Sequence, residues 1–443
     1  MNKNTTLRLI PALLAVAFSG AASASGFQLL EQNASGLGNA YAGSAAVAEN
    51  ASTIYFNPAG MTQLQAREIS VGGSLVGTSF EFSNDRSNVG ALANAGNGGD
   101  AGGVGFVPNA YMSWALNKDW YVGLGIGAPF GMKTEYDNPW MGAAQSIMFD
   151  IKTININPSV AWRANEWLSL GAGLNWQKVE AEYKRRVAVS TPGLAGSTAT
   201  LNLDDDAWGW NVGALFTIAP TTKIGVSYRS QVKYDTKGDV GISSDGTASA
   251  NATSAGLIRA GANSDIAAKI DMPDTFILSA THQLTSQWEL LGDVSWTGWS
   301  SIPKVDIMRT SGPLNGQVAQ VLDTEFRDTW RVALGANYKI DEAWKLRMGV
   351  AYDQSPVRGA QYRLVSLPDN NRTWLSAGAQ WKPSKAMAID VGGAYLFVQD
   401  PEIDNNQIPS PLTAANASQN RGRVNGSYDA SVWILGAQFS MAF

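Results

Sequence analysis

Apolar and polar residues alternate with period two over long stretches of the chain. Ile154, Ile156, Val160 and Trp162 alternate with Thr153, Asn155, Asn157 and Ser159. Leu168, Leu170, Ala172, Leu174 and Trp176 alternate with Ser169, Gly171, Gly173, Asn175 and Gln177. The pattern recurs from Trp208 to Ile218, from Ile224 to Tyr228, and from Trp433 to the terminal Phe443. Successive side chains of a strand point to opposite faces, so such runs predict strands with one apolar face. Short polar turns fall at Asn117–Asp119, Ala164–Glu166, Ala219–Thr222, Leu284–Gln287, Asp341–Ala343 and Pro383–Lys385. Long polar stretches lie between them, near 83–103, 137–148, 190–205, 239–270, 304–322, 355–371 and 401–426. Six short turns interleaved with seven long loops connect fourteen strands.

A soluble sandwich would also alternate, with a polar outer face. Two features favour a transmembrane barrel instead. Even strand number with short turns on one side and long loops on the other is the outer-membrane pattern. In addition, Trp120, Trp167, Trp288 and Trp344 each follow a short turn, which sets four indoles at one level, as at a membrane interface. Lipid offers no hydrogen-bond partners, so the sheet must close on itself. The fold class expected is therefore all-β, a 14-stranded antiparallel transmembrane β-barrel over residues 67–443. Eight strands already make a nearly solid core, so fourteen need a plug or they conduct. Residues 25–66 carry no alternation, are rich in Gly, Ala, Ser and Asn, and have the length of an N-terminal hatch inside the barrel.

Composition narrows the function. Only 16% of the 443 residues are charged, 45% are apolar, and mean hydropathy is −0.11, too polar for a helical membrane bundle. The net charge of −5 argues against nucleic-acid binding. There is no Cys and a single His, so thiol chemistry, disulfides and multi-His metal sites are excluded, and no cofactor or catalytic residue is expected. His282, beside the turn at 283–287, belongs to the periplasmic rim; a barrel hydrolase would need a His-centred acid/base set. Asp204-Asp205-Asp206 reads as a solvated loop end, with Ca²⁺ binding as the alternative. At the N-terminus, Lys3 and Arg8 flank the apolar stretch Leu9–Phe18, and Ala22-Ser23-Ala24 is a small-residue cleavage site. Residues 1–24 read as a signal peptide, the stretch being too short to span a bilayer.

The plug carries a resemblance. Gly26-Phe27-Gln28-Leu29, then Gly36-Leu37-Gly38-Asn39-Ala40-Tyr41-Ala42-Gly43 and Asn57-Pro58-Ala59, resemble the hatch of the FadL family of outer-membrane transporters of long-chain fatty acids and other hydrophobic compounds. The similarity continues through Tyr228–Lys233, Trp296–Ser300, Trp330–Gly335, Asp353–Val357 and Trp374–Gly378, over essentially the whole mature chain. The resemblance implies a monomer in the bacterial outer membrane, without an energy source. Outer loops capture the ligand, a lumenal site binds it, and a hatch movement releases it sideways through the wall. Asn57, Pro58 and Ala59 are then the gate.

The third strand, Tyr121 to Met132, contains Pro129 between glycines. Proline donates no ladder bond and is confined to edges or bulges, which a closed barrel lacks. Pro129 and Gly131, the latter matching the family's kink glycine, are the expected lateral opening; the alternative puts Pro129 in an extension above the membrane. Phe27 matches the family's pocket aromatic, with plug packing as the alternative. Arg185 matches an arginine that faces a carboxylate, with lipopolysaccharide contact at the rim as the alternative. Where fatty-acid members carry a second basic residue, Asp306 stands here, with Lys304 and Arg309 as nearby candidate ligand contacts. Part of the segment 239–270, Ala255–Lys269, has loose helical spacing at Leu257, Ile258 and Ile266, and belongs to the family's outer capture groove. Three readings follow: a fatty-acid channel, the same device for neutral hydrophobics such as monoaromatics, and a general porin or adhesin. The expected partners are the hydrophobic ligand and outer-membrane lipid with lipopolysaccharide.

Overall fold

A computed structural model of the chain describes residues 26–443; the expected signal peptide lies outside the described residues. Twenty strands follow the N-terminal segment. They are β1 (Arg67–Asn84), β2 (Gly103–Ala115), β3 (Trp120–Gly127), β4 (Gly131–Glu135), β5 (Met148–Arg163), β6 (Leu168–Arg186) and β7 (Ser197–Ala219). Next come β8 (Thr222–Arg229), β9 (Val232–Ser244), β10 (Ser264–Met272), β11 (Thr275–Gln283), β12 (Trp288–Thr297), β13 (Lys304–Arg309) and β14 (Val318–Asp323). The last are β15 (Thr329–Lys339), β16 (Trp344–Asp353), β17 (Arg372–Ser384), β18 (Met387–Val398), β19 (Glu402–Asn406) and β20 (Arg423–Ala442). β3 with β4, β8 with β9, and β10 with β11 each form one interrupted wall strand. With β13, β14 and β19 set aside as strands of the outer connections, that leaves fourteen antiparallel staves, closed by the β1–β20 ladder from Glu68↔Ala442 to Asn84↔Gly426. All six expected short turns are present.

Alternation sorts the two faces. On β6 and β16 the outward residues Leu170, Leu174, Leu346, Met348 and Val350 are exposed, as lipid-facing positions must be. Trp120 stacks on Trp162 and Trp344 on Trp381 next to the turns, 5.8 and 6.0 Å between ring centres. A second aromatic level, with Trp208, Trp210, Trp330, Tyr352, Tyr395 and Trp433, lies toward the long loops. Amphipathic rings at two heights mark the two interfaces of a bilayer. Among the described residues no helix is long and apolar enough to cross a membrane.

The outer connections differ from the expected loops. β6 and β7 run on beyond the aromatic level, so the connection shrinks to 187–196 and Asp204–Asp206 lie within β7, not at a loop end. Above the bilayer the outward face meets water, so Thr200, Asn202 and Asp204 stand outward while Leu201 and Leu203 pack inward, and the apolar outer stripe that marks a lipid-facing stave disappears. β9 and β10 likewise extend into 239–244 and 264–270, and the helix between them is Ala248–Arg259; Ile266 is a strand residue. The segment 304–322 is the hairpin β13–β14, which leans on β10 through Ile266↔Arg309.

Candidate functional site

Residues 26–66 fill the lumen with short, irregular pieces: helices Ala34–Leu37 and Thr53–Phe56 and the 3₁₀ turn Pro58–Gln63. Nearly all of this segment is buried. The Asn57 amide holds it in place. Its Nδ2 donates to the carbonyls of Ala45 at 2.7 Å and of Ala214 in β7 at 3.0 Å, and its Oδ1 caps the 3₁₀ turn by accepting from the Ala59 N–H. Pro58 follows at the first position of that turn, where its missing N–H costs nothing. The wall is shaped to receive this backbone: a Cβ on Gly171 would meet Pro58 and Ala59, and one on Gly213 would meet Asn57.

Two further anchors escaped the sequence reading. Glu49 of the plug accepts from Arg347 at 2.6 Å and from Lys345 at 2.8 Å, and Arg347, 1% exposed, also reaches Asp390 at 2.8 Å. Ser44 donates to Asp293 at 2.8 Å, which Ser279 also contacts at 2.7 Å. The signal was present: Asp293, Arg347 and Asp390 interrupt apolar strands at inward positions, and ionisable residues there must find partners inside.

The wall is incomplete beside Pro129. The β2–β3 ladder stops at Ala110↔Ile126, and β4 pairs with β5 alone. Among the described residues, the outer half of β2 therefore has a strand neighbour, β1, on one side only. The plug occupies the break. Leu29 N–H donates to the Pro129 carbonyl at 2.8 Å, Gly131 N–H donates to the Phe27 carbonyl at 2.9 Å, and Gln28 bridges to Phe130. Lys152, opposite Gly131 on β5, and Ile154 and Ile156 further down place the break at the outer edge of the apolar band.

Phe27 is buried beside the same break. Its ring meets Trp299 edge-on at 4.9 Å and Phe130 at 6.0 Å, and Trp299 meets Phe326 at 5.8 Å. From there one continuous buried apolar column passes Met272, Ile302, Val305, Ile307 and Ala319 to Val187. Arg185 stands at its outer end, buried rather than on the rim. Nε donates to Gln320 Oε1 at 2.6 Å, and the two terminal nitrogens donate to the carbonyls of Arg186, Val187 and Ala319 at 3.0–3.1 Å. Lys304 is exposed and pairs with Asp306 at 2.9 Å, away from the column. Arg309 is half-buried and tied to the Ala262 carbonyl and, at 2.8 Å, to Ser264 Oγ. His282 Nδ1 shares a 2.9 Å hydrogen bond with Thr222 at the exposed turn end.

Comparison with known proteins agrees with this architecture. Residues 15–443 match the family described as outer membrane protein transport protein (OMPP1/FadL/TodX). Outer membrane protein P1 of Haemophilus influenzae is 32% identical over 434 residues, covering 89% of this chain and 90% of that one. The long-chain fatty acid transport protein of Escherichia coli K12 is 28% identical over 483 residues, covering both chains fully. The crystal structure of a Pseudomonas aeruginosa FadL homologue superposes with a TM-score of 0.82 at 22% identity, covering 94% of this chain and 99% of that one. The Ralstonia pickettii toluene transporter TbuX superposes at 0.67 with 16% identity, covering 93% and 98%. The chain belongs to the OMPP1/FadL/TodX family of outer-membrane transport proteins.

Proposed function

We propose that this protein is a passive channel for long-chain fatty acids, with Arg185 as carboxylate anchor, the plug as gate and the break at Pro129–Gly131 as lateral exit. The observation that carries the reading is the apolar column joining a buried guanidinium to the incomplete wall. Burial gains roughly 0.8 kcal/mol per CH₂, so such a column favours an acyl chain over an aqueous pore. At its inner end Phe27 has to yield for the chain to advance. Its backbone is hydrogen-bonded to the strand break, so displacement of Phe27 and opening of the wall are one movement. Relatives named as long-chain fatty acid transport proteins support the substrate class. The test is uptake of labelled oleate by cells in which this protein is the sole such channel, wild type beside Phe27→Ala and Gly131→Val. Uptake undiminished in both variants would remove the route.

A second reading is favoured by one observation: Lys304 turns outward to Asp306 and so adds no cation at the column. Neutral hydrophobics such as monoaromatics would then be carried, and Arg185→Gln would leave uptake intact. We also place lipopolysaccharide against the outer ends of β5–β7. There Lys152, Lys178 and Lys184 alternate with Glu180 and Glu182 at 2.8–3.4 Å, directly above Trp176. Closure of the sheet within one chain supports a monomer.

A further inference from the structure

The outer end of the apolar column holds more positive charge than the chain itself balances. Arg421 precedes β20 in the last outer loop, far along the chain from Arg185. Its Nη2 points to the carbonyl of Ala319 at 3.4 Å, the oxygen that Arg185 Nη2 already contacts at 3.0 Å. Two guanidinium groups thus crowd one neutral acceptor. Among the described residues neither of them forms an ion pair, and neither does Arg309. The Nε of Arg421 is buried and, among the described residues, has no acceptor. Burial pushes the Arg421 guanidinium down to about 10, so it still carries its charge at neutral pH.

Like charges side by side in a largely buried site are costly unless an anion sits between them. Two buried arginines of this barrel show one way such a group is handled: Arg347 has Glu49 and Asp390, and Arg372 has Asp369. Among the described residues Arg185 and Arg421 are left without a carboxylate and share one carbonyl oxygen, at the point where a ligand's headgroup would lie with its chain in the column. A guanidinium with a free Nε–H offers one side of its fork to a planar carboxylate.

We infer that Arg421 is the second cation of the ligand site, and that Arg185 and Arg421 take a fatty acid's carboxylate between them beside the Ala319 carbonyl. The inference rests on the fatty-acid reading above and adds a residue that neither the β13 candidates nor the strand pattern supplied. It also gives the site a consequence for the mouth. Ala319 and Gln320 belong to the hairpin β13–β14 and Arg421 to the loop before β20, so a bound carboxylate ties two outer segments together.

The experiment is direct binding of oleate and of oleyl alcohol to the purified barrel in detergent, for wild type, Arg185→Gln, Arg421→Gln and Arg421→Lys. Each sample is first checked for heat-modifiable migration, and its melting temperature is read with and without oleate. Loss of one charged hydrogen-bonding partner should weaken oleate about tenfold in Arg421→Gln, with part of this restored in Arg421→Lys and no change for the alcohol. Without ligand, Arg421→Gln should melt no lower than wild type, because a like-charge contact has been removed. Oleate binding that needs Arg185 but ignores Arg421 overturns the assignment and leaves the fatty-acid channel standing. Equal weakening of acid and alcohol, together with a lower melting temperature, makes Arg421 a brace for the hairpin and overturns it as well. Binding of oleate no tighter than the alcohol in wild type overturns both this inference and the fatty-acid reading.

Discussion

Replacing Glu49 by Gln tests whether charge holds the plug down. Gln keeps an acceptor oxygen facing Lys345 and Arg347 but removes the negative charge from two contacts of 2.8 and 2.6 Å. A hydrogen bond to a charged group contributes about 1.5–3 kcal/mol against about 0.5–1.5 for a neutral one. Glu49 and Lys345 keep about a fifth of their side-chain surface open, which discounts that pair through solvent screening. The Arg347–Asp390 contact survives the change, so no buried cation is stranded. The plug should therefore lose about 2 kcal/mol, which raises the population of its displaced state about 30-fold. A fourteen-stranded barrel without its plug conducts, so the readout is the fraction of time that single barrels pass current in planar bilayers. Heat-modifiable migration should be unchanged, because Glu49 lies outside the wall strands. A conducting fraction equal to that of wild type would refute the idea that this ion cluster latches the plug.

Three other changes address separate parts of the device. Asn57→Ala removes three hydrogen bonds that join the plug to itself and to β7, at about 1 kcal/mol each, and should cut oleate uptake with barrel folding retained; normal uptake would move the gate elsewhere. Gly171→Val drives a side chain into the backbone of Pro58 and Ala59 and should unseat the plug, seen as faster proteolysis of residues 26–66; protection equal to wild type would mean that the close approach is dispensable. Phe27→Ala opens a cavity among Trp299, Phe130 and Met132 at a cost of about 3–5 kcal/mol, lowering the melting temperature and weakening oleate; unaltered binding would reduce Phe27 to plug packing.

The barrel was legible because lipid enforces a pattern. Wherever one face of a strand meets hydrocarbon and the other the lumen, the alternation is strict, and the short turns fall where Asn117, Asn165, Thr285 and Asp341 cap them by side-chain hydrogen bonds. The plug boundary was legible for the converse reason, since alternation begins only at β1. Beyond the aromatic level that constraint vanishes. The outer parts of β7, β9 and β10 reverse the sense of the pattern, with Leu201, Leu203, Val240, Ile266 and Ile270 packed inward and polar residues outward, so they lack the lipid-facing apolar stripe although the backbone stays paired. Of the proposed site, the residues that lie within one segment can be named from the sequence: Asn57-Pro58-Ala59, Pro129 with Gly131, and Phe27. Those that act by meeting across the fold cannot. Arg421 and Ala319 come from two different outer loops, and Glu49 meets Arg347 only once the plug is seated.

The break at Pro129 gives the proposed gate and exit a physical reason to form one device. An open barrel edge in lipid exposes N–H and C=O groups at a cost of several kcal/mol each, so a stave interrupted for transport needs a substitute partner when idle. The plug is that partner, through Leu29 to Pro129 and Gly131 to Phe27. A movement that withdraws Phe27 from the aromatic cluster also removes the hydrogen bonds that satisfy the break. In the proposed cycle the emerging acyl chain does not form those bonds, so the opened state is uphill and closes once the ligand has left. A gate elsewhere in the plug would need a separate signal to reach the wall. In the proposed cycle the ligand's own displacement of Phe27 supplies it, so release would need no other signal.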